Sequence, residues 1–361
     1  EGELVGLCPK IRNMDDTGMR ASASLAKYSE LNLPRYTSYP TAPHFGGEVD
    51  GRVYRDWITK LPREEAVSLY VHVPFCRSMC WYCGCHTKIT RRDGPIERYV
   101  AALESEIAAL HDVAGKKLRV GHIHFGGGTP TIVGPENFSR LMETIRRHFG
   151  VEAGAEIAVE IDPRTLDGAM AKALGNSGVN RASLGIQSFD EKVQAAVNRI
   201  QPFDQTREVV EVLRSEGIEQ FNFDLIYGLP LQTVESCIET ARLAAQLEPD
   251  RFSVFGYAHV PSFKKHQQMI PDDTLPDTQE RLQQAVLVAH VDQRLVHVDE
   301  PRGAGLVLLD AAELVGVGDA VAVEVTRHDV ARLDPGGHGP REHEGATLVG
   351  EQRQVVRVAV R

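Results

Sequence analysis

The sequence predicts an α/β fold whose core is a partial barrel of six strand–helix units. Three observations lead to this prediction. Short β-rich runs alternate with helix-like segments between residues 67 and 260, unusual residues follow the strands, and four of the six cysteines lie between residues 76 and 85. Consecutive strand–helix units give parallel strands with right-handed crossovers. A doubly wound open sheet produces the same alternation, and periodicity alone does not separate the two arrangements.

The six predicted strands are short runs rich in β-branched and aromatic residues. They cover residues 67–73, 119–125, 156–161, 181–186, 221–226 and 251–257. The segments between them have helical spacing, with apolar residues three or four positions apart in 96–113 and again in 134–149. Pro135 suits a first helical turn, and a third helix over 203–217 ends on Gly217, a typical stop.

Polar and small residues follow the predicted strands. The first strand runs into the cysteines, the second into GGGTPT, the third into EIDP, the fourth into IQSF, the fifth into DLIYGLP and the sixth into YAHVP. Because the carboxyl ends of parallel strands meet at one edge of the sheet, we expect these residues to form a single site.

The composition excludes several classes of function. The formal net charge is −10 and the charges are interspersed, which argues against non-specific nucleic-acid binding. No apolar run is long enough for a membrane span, and the N-terminus has no apolar signal-peptide core. We therefore expect a cytoplasmic protein. Disulfides are rare in that compartment, so clustered cysteines there hold a metal or do redox chemistry.

The cysteine spacing favours an iron–sulfur cluster. Cys76, Cys80 and Cys83 are spaced C-x3-C-x2-C, and Cys85 follows. Tetrahedral zinc sites usually use two separated pairs of ligands, whereas thiolates on one short loop suit a cubane cluster. Three ligands for four irons leave one iron open to a small molecule, beside the aromatic Tyr82. A local zinc knuckle or buried cysteines remain the alternatives.

Other residues at the strand ends have both a binding and a structural interpretation. The glycines at 126–128 allow close backbone approach to a ligand, or make a tight turn capped by Thr129. Glu160 lies near a strand end, where it could accept from a ribose hydroxyl or an ammonium group, or simply face solvent. Asp224 lies in an apolar strand, where an unpaired carboxylate is costly, so it binds a ligand or forms a salt bridge with a group such as Arg199.

Taken together, these motifs resemble the oxygen-independent coproporphyrinogen III oxidase (dehydrogenase) family of the radical S-adenosylmethionine (SAM) superfamily. The matching stretches include PRYTSYPTAPHF at 34–45, SLYVHVPFCRSMCWYCGC at 68–85, HFGGGTPT at 124–131 and NFDLIYGLP at 222–230. The resemblance covers residues 30 to about 284. It stops where the family continues through the last barrel strands and a C-terminal helical domain.

The resemblance implies roles for individual residues. Cys76, Cys80 and Cys83 would bind a 4Fe-4S cluster, and Cys85 would not. The residues implied for a first SAM are Tyr70, Tyr82, Gly127, Glu160 and Ala258. Those implied for a second SAM are Gly128, Thr129, Gln187, Arg199 and Asp224.

The resemblance also implies an activity. The family converts two propionate side chains of coproporphyrinogen III to vinyl groups, giving protoporphyrinogen IX, through a 5′-deoxyadenosyl radical formed from SAM. We expect a monomeric oxidoreductase that needs a low-potential electron donor and an electron acceptor of unknown identity. Haem-binding chaperones of the same subgroup usually lack the RYTSYPTA segment and the cysteine at position 85, and both are present here.

The sequence suggests four regions. Residues 1–25 are irregular, 26–66 match the family's N-terminal segment, 67–284 form the barrel core, and 285–361 are an atypical tail that we do not expect to be a native domain. The tail contains 17 valines but no Phe, Trp, Tyr, Ile, Met, Asn, Ser, Lys or Cys, which is unusual for a folded domain. We hypothesise an out-of-frame translation beginning near Ala285, so that the barrel is truncated or the chain inactive. Translating the other reading frames of the gene tests this hypothesis.

Overall fold

The structure is a computed structural model of the chain, and it describes residues 50–285 together with the backbone of residues 323–326 and 355–358. Residues 1–25, most of the 26–66 region with its PRYTSYPTAPHF stretch, and the rest of the tail lie outside the described residues. Among the residues described, no helix has the length and apolar character needed to cross a membrane.

The described strands form an eight-stranded sheet and a separate two-stranded ribbon. In chain order they are β1 (Val67–Val73), β2 (Phe75–Cys76), β3 (Lys88–Ile89), β4 (Arg119–Gly127), β5 (Gly150–Ile161), β6 (Arg181–Gln187), β7 (Gln220–Tyr227), β8 (Arg251–Gly256), β9 (Val323–Thr326) and β10 (Val355–Val358). β2 and β3 make the ribbon, and β2 ends on Cys76, the first of the four clustered cysteines.

The sheet order separates the two predicted arrangements. β1, β4, β5, β6, β7 and β8 are parallel, and they lie side by side in the order in which the chain makes them. A doubly wound sheet reverses its strand order at a switch point, and no reversal occurs among these six. The predicted barrel-type core of six strands is therefore confirmed. β10 adds to β1 and β9 to β8, two edge strands that the sequence did not predict.

Helices connect the strands. They are α1 (Gly51–Lys60), α2 (Gly94–Ala114), α3 (Pro135–His148), α4 (Gly168–Asn176), α5 (Glu191–Ala196), α6 (Phe203–Ser215) and α7 (Val234–Gln246), and residues 278–285 are also helical. Pro135 begins α3 as predicted. Gly217 follows α6 with a φ of +83°, a left-handed conformation that favours glycine and stops the helix.

The two faces of the sheet differ in polarity. In β1, Leu69, Val71 and Val73 are buried and belong to the main apolar core with the helices, while Tyr70 and His72 alternate with them. The same alternation places a set of polar residues on the face opposite the helices. These are Tyr70, His72, His124, Glu160, Ser183, Gln187, Asp224 and Ser253. This polar face and the carboxyl edge above it carry the candidate site.

Candidate cofactor site

The cysteine loop, residues 76–85, crosses the carboxyl edge of the sheet and is held by hydrogen bonds within the loop and from another segment of the chain. Within the loop, Cys83 N–H donates to the carbonyl of Cys80 at 3.1 Å. The turn after α5 contributes two further bonds: Trp81 N–H donates to the carbonyl of Val197 at 2.9 Å, and Asn198 Nδ2 donates to that of Met79 at 2.8 Å. These contacts join the cysteines to β6 and its following helix.

Two cysteine sulfurs accept hydrogen bonds from side chains of the sheet edge. The hydroxyls of Thr87 and Thr129 both lie 3.4 Å from Cys76 Sγ. The guanidinium groups of Arg164 and Arg199 lie 3.4 Å and 3.6 Å from Cys80 Sγ. At Cys76, burial raises the pKa of the thiol more than the two hydroxyls lower it, and the thiolate is the form that binds iron.

Cys85 differs from the other three cysteines of the loop. The contact with Cys85 lowers the pKa of Cys83, whereas the same contact and burial raise that of Cys85. That Cys76, Cys80 and Cys83 bind the cluster and Cys85 does not stays a prediction.

In the part of the chain that the structure describes, no three His, Cys, Asp or Glu side chains come close enough to share one metal ion. A cubane cluster does not require three side chains around one ion, because each thiolate binds a different iron. The sulfurs of Cys76, Cys80 and Cys83 on one loop fit that donor set.

A buried ion set lies beneath Cys80. Asp162 accepts from Arg164 at 2.7 Å and 2.9 Å, and from Arg199 at 3.4 Å through both oxygens. Burial alone would raise the pKa of Asp162, but the two arginines outweigh it and hold that pKa below its usual value. Sequence reasoning assigned no role to Asp162 or Arg164, although EIDP drew attention to the stretch. Because Arg199 pairs with Asp162, the suggested salt bridge between Asp224 and Arg199 is not the one that forms.

Gln187 ends β6 in a strained conformation. Its φ is +68°, a left-handed value that is uncommon for a residue other than glycine. A Cβ on Gly185 would lie 2.9 Å from Gln187 Nε2 and 3.2 Å from Arg199 Nη2, so both side chains converge over this glycine. Gln187 Oε1 and Arg199 Nε are buried without a hydrogen-bond partner among the described residues. Such unpaired polar atoms fit a polar ligand at this position.

Tyr70 and Glu160 meet on the polar face next to β4. Glu160 accepts from Gly127 N–H at 3.0 Å and lies 3.1 Å from His124 Nε2, while the Tyr70 hydroxyl lies 3.0 Å from His72 Nδ1. The Tyr70 ring stacks on His124 with 5.7 Å between centroids. The residues predicted for a first SAM on β1, β4 and β5 are therefore brought together.

The glycines at 126–128 allow β4 to approach the cysteine loop. A Cβ on Gly128 would lie 2.6 Å from the carbonyl oxygen of Phe75, and Gly128 N–H donates to the carbonyl of Val73 at 2.9 Å. Thr129 N–H donates to Phe75 in the same way at 2.8 Å. Thr129 lies at the N-cap position of the helical turn 130–133, as the turn interpretation predicts, but its hydroxyl donates to Cys76 and makes no capping hydrogen bond.

Asp224 lies on β7 among neutral partners. Asn222 Nδ2 donates to it at 2.8 Å and the Ser183 hydroxyl at 3.3 Å. Burial is the main cause that raises the pKa of Asp224 to about 6, and the charge of Glu160 adds to it. A cationic ligand beside this carboxylate would favour its ionised form.

The Asp224 carboxyl gives a testable pH dependence. In the unfolded chain it ionises near its ordinary value of 3.8, and in the folded chain near 6, so folding loses free energy as pH rises from about 4 to 6. We expect Asp224→Asn to raise the free energy of unfolding relative to the unaltered protein by roughly 2 kcal/mol more at pH 8 than at pH 4. Urea unfolding of the cofactor-free protein at the two pH values measures this. Asp204→Asn, at an exposed position on α6, is the control, and an equal effect of Asp224→Asn at both pH values contradicts the prediction.

Ala258 and Tyr82 are joined at the end of β8. Gln267 Nε2 donates to both carbonyls, at 3.2 Å and 3.0 Å. Burial and the neighbouring Cys80 raise the pKa of the Tyr82 phenol well above its usual range. Sequence reasoning missed Gln267 because a side-chain contact spanning 185 positions leaves no local pattern.

Comparison with known proteins identifies this arrangement. Residues 70–244 match the model of the radical SAM superfamily. The oxygen-independent coproporphyrinogen III oxidase of Bradyrhizobium diazoefficiens is 59% identical over 272 residues, which cover 75% of this chain and 60% of that protein. The chain belongs to the oxygen-independent coproporphyrinogen III oxidase family of the radical SAM superfamily. The predicted family is therefore confirmed.

Two comparisons with proteins of Escherichia coli support the same family. Its oxygen-independent coproporphyrinogen III oxidase is 42% identical over 261 residues, covering 72% of this chain and 56% of that protein. The solved structure of the E. coli coproporphyrinogen III oxidase, described as a radical SAM enzyme, superposes with a TM-score of 0.69 and 38% identity, over 75% of this chain and 61% of that one. The chain thus spans about three fifths of the length of the relatives it matches. Membership of the superfamily implies a 4Fe-4S cluster and SAM.

Proposed function

We propose that this protein catalyses the oxidative decarboxylation of coproporphyrinogen III to protoporphyrinogen IX. The observation that carries the proposal is the loop that holds Cys76, Cys80 and Cys83 above a polar sheet face, in a chain 59% identical over 272 residues to an oxidase of that name. Residues 67–284 would form the core that holds the cofactors. We further propose a monomer in the cytoplasm, with a low-potential electron donor and a separate electron acceptor, because an open cluster needs a reducing compartment.

In this proposal, Cys76, Cys80 and Cys83 hold the cluster. When bound, the cluster and SAM supply an electron and a carbon radical able to remove hydrogen from an unactivated C–H bond. Side chains on β1, β4 and β5 bind the first SAM. Glu160 is suited to this because Gly127 N–H and His124 orient its carboxylate on the polar face, where it can accept from an ammonium or ribose hydroxyl. Tyr70, Tyr82, Gly127 and Ala258 would complete this site.

A second SAM would lie toward β6 and β7. Gln187 and Arg199 each keep a buried polar atom unpaired among the described residues, and Asp224 is a buried carboxyl without a directly bonded cation there. Amino-acid and sulfonium groups would satisfy these atoms. Gly128 and Thr129 would contact the same molecule, although Thr129 already donates to Cys76.

Anaerobic reconstitution with iron and sulfide, followed by SAM and dithionite with or without coproporphyrinogen III, tests the proposal. We expect methionine and 5′-deoxyadenosine in every reduced sample and vinyl product only when coproporphyrinogen III is present. Omission of dithionite is the control. SAM cleavage without decarboxylation would contradict the oxidase activity and favour the haem-binding chaperone or a truncated, inactive chain. Absence of a cluster would overturn the cofactor assignment as well.

A further inference from the structure

The segment after β8 supports the cysteine loop through three side chains. Lys264 Nζ donates to the carbonyl of Cys85 at 3.1 Å, His266 Nε2 to that of Cys83 at 2.7 Å, and Gln267 Nε2 to that of Tyr82 at 3.0 Å. These side chains bind backbone carbonyls of the cysteine loop, so the cysteine sulfurs remain available.

Gln267 makes more of these contacts than its neighbours. The residue is 1% exposed. One hydrogen of Nε2 reaches Tyr82 and the other reaches the carbonyl of Ala258 at 3.2 Å, while Oε1 accepts from Val260 N–H at 2.6 Å. The amide thus fixes the distance between the cysteine loop and the turn that contains Ala258.

This junction connects two parts of the proposed site. Cys80 and Cys83 flank Tyr82 in the loop that would hold the cluster, and Ala258 is assigned to the first SAM. A shift between loop and turn would move the open iron relative to the bound SAM without removing a ligand of either. A displacement of about 1 Å is enough to lower the rate of an orientation-dependent reaction by a large factor.

We propose that Gln267 is a positioning residue for SAM cleavage, an inference that rests on the proposed function. It holds the cysteine loop against the Ala258 turn, and so sets how SAM lies on the cluster. Lys264 and His266 assist by fixing the far end of the loop.

Gln267→Met is the primary test, because methionine keeps the length of the side chain and removes all three hydrogen bonds. The readout is the electron paramagnetic resonance spectrum of the reduced cluster during a SAM titration, alongside iron content and thermal melting of the cofactor-free protein. We expect near-normal iron content, and a rise of about tenfold in the SAM concentration that gives half of the spectral change, equivalent to one lost buried hydrogen bond.

Gln232→Met is the matched control. Gln232 is also a buried bridging amide, joining the carbonyl of Ile226 to the N–H of Leu229, both at 2.9 Å. A comparable fall in melting temperature with an unchanged SAM titration shows that loss of a buried amide alone does not weaken SAM binding. Gln267→Glu is the second variant, since it keeps the acceptor for Val260 and removes the donor to Tyr82 and Ala258.

The outcomes separate the two proposals. If the unaltered protein takes up no cluster, or its spectrum does not respond to SAM, the proposed function fails and this inference with it. If the unaltered protein responds and both Gln267 variants respond at the same SAM concentration, only the role of Gln267 is overturned. Loss of the cluster from both variants, with Gln232→Met loaded normally, overturns the positioning role, because Gln267 is then needed to hold the cluster itself.

Discussion

Serine in place of Cys76, Cys80 or Cys83 is expected to reduce bound iron from about four atoms per chain to less than one, and to abolish SAM cleavage. Cys85→Ser is expected to retain both. The reason is that the C-x3-C-x2-C spacing supplies three thiols, of which Cys76 and Cys80 accept from neighbouring side chains, whereas Cys85 lies outside that spacing. A serine hydroxyl remains largely protonated at neutral pH and is a poor substitute for a thiolate.

Iron and sulfide analysis after anaerobic reconstitution measures this effect, with the melting temperature of the cofactor-free protein as a check on folding. Cys237→Ser serves as the matched control, since Cys237 is a buried core residue on α7, away from the loop. Because the thiols of Cys83 and Cys85 are in contact, comparing the variants at these two positions shows which of them is the third cluster ligand. Retention of iron by Cys83→Ser together with loss by Cys85→Ser would show that the ligand set has been misassigned.

The core strands could be predicted because their apolar residues alternate or run together locally. β5 shows where this fails: the sequence predicts 156–161, but the strand begins at Gly150. Residues 150–155 read GVEAGA, whose glycines and alanines have low β propensity. Gly150 and Val151 pair with Arg119 and Val120 of β4, and pairing resumes at Glu156 after a shift of register, a contact that a local pattern does not contain.

The sequence located the residues that the structure brings to the carboxyl edge better than the residues that support them. Spacing drew attention to the cysteines, and the family resemblance implied roles for Glu160 and Arg199 that stay predictions. Asp162 could be noticed but not assigned, because its two arginine partners come from different parts of the chain. The left-handed backbone of Gln187 had no sequence signal at all, since a glycine or asparagine is the usual marker of that conformation.

The buried ion set provides the second large effect, this time on folding. Asp162→Asn is expected to lower the free energy of unfolding of the cofactor-free protein by about 3–5 kcal/mol. Arg164, Asp162 and Arg199 have side chains that are only 15%, 12% and 7% exposed, so water cannot replace the lost carboxylate. Asparagine keeps the shape and one acceptor, but it leaves two buried guanidinium groups without a counter-charge.

Urea unfolding at neutral pH measures this loss, and Glu104→Gln supplies the contrast. Glu104 pairs at 2.7 Å with Arg140, whose side chain is 50% exposed, and pairs of that kind contribute about 0–1 kcal/mol. A loss below about 1 kcal/mol for Asp162→Asn would mean that water or local rearrangement compensates the arginines. A large loss would establish that the same carboxylate that stabilises the fold also holds Arg164 and Arg199 against Cys80. Folding and the electrostatic environment of the proposed cluster would then depend on one residue.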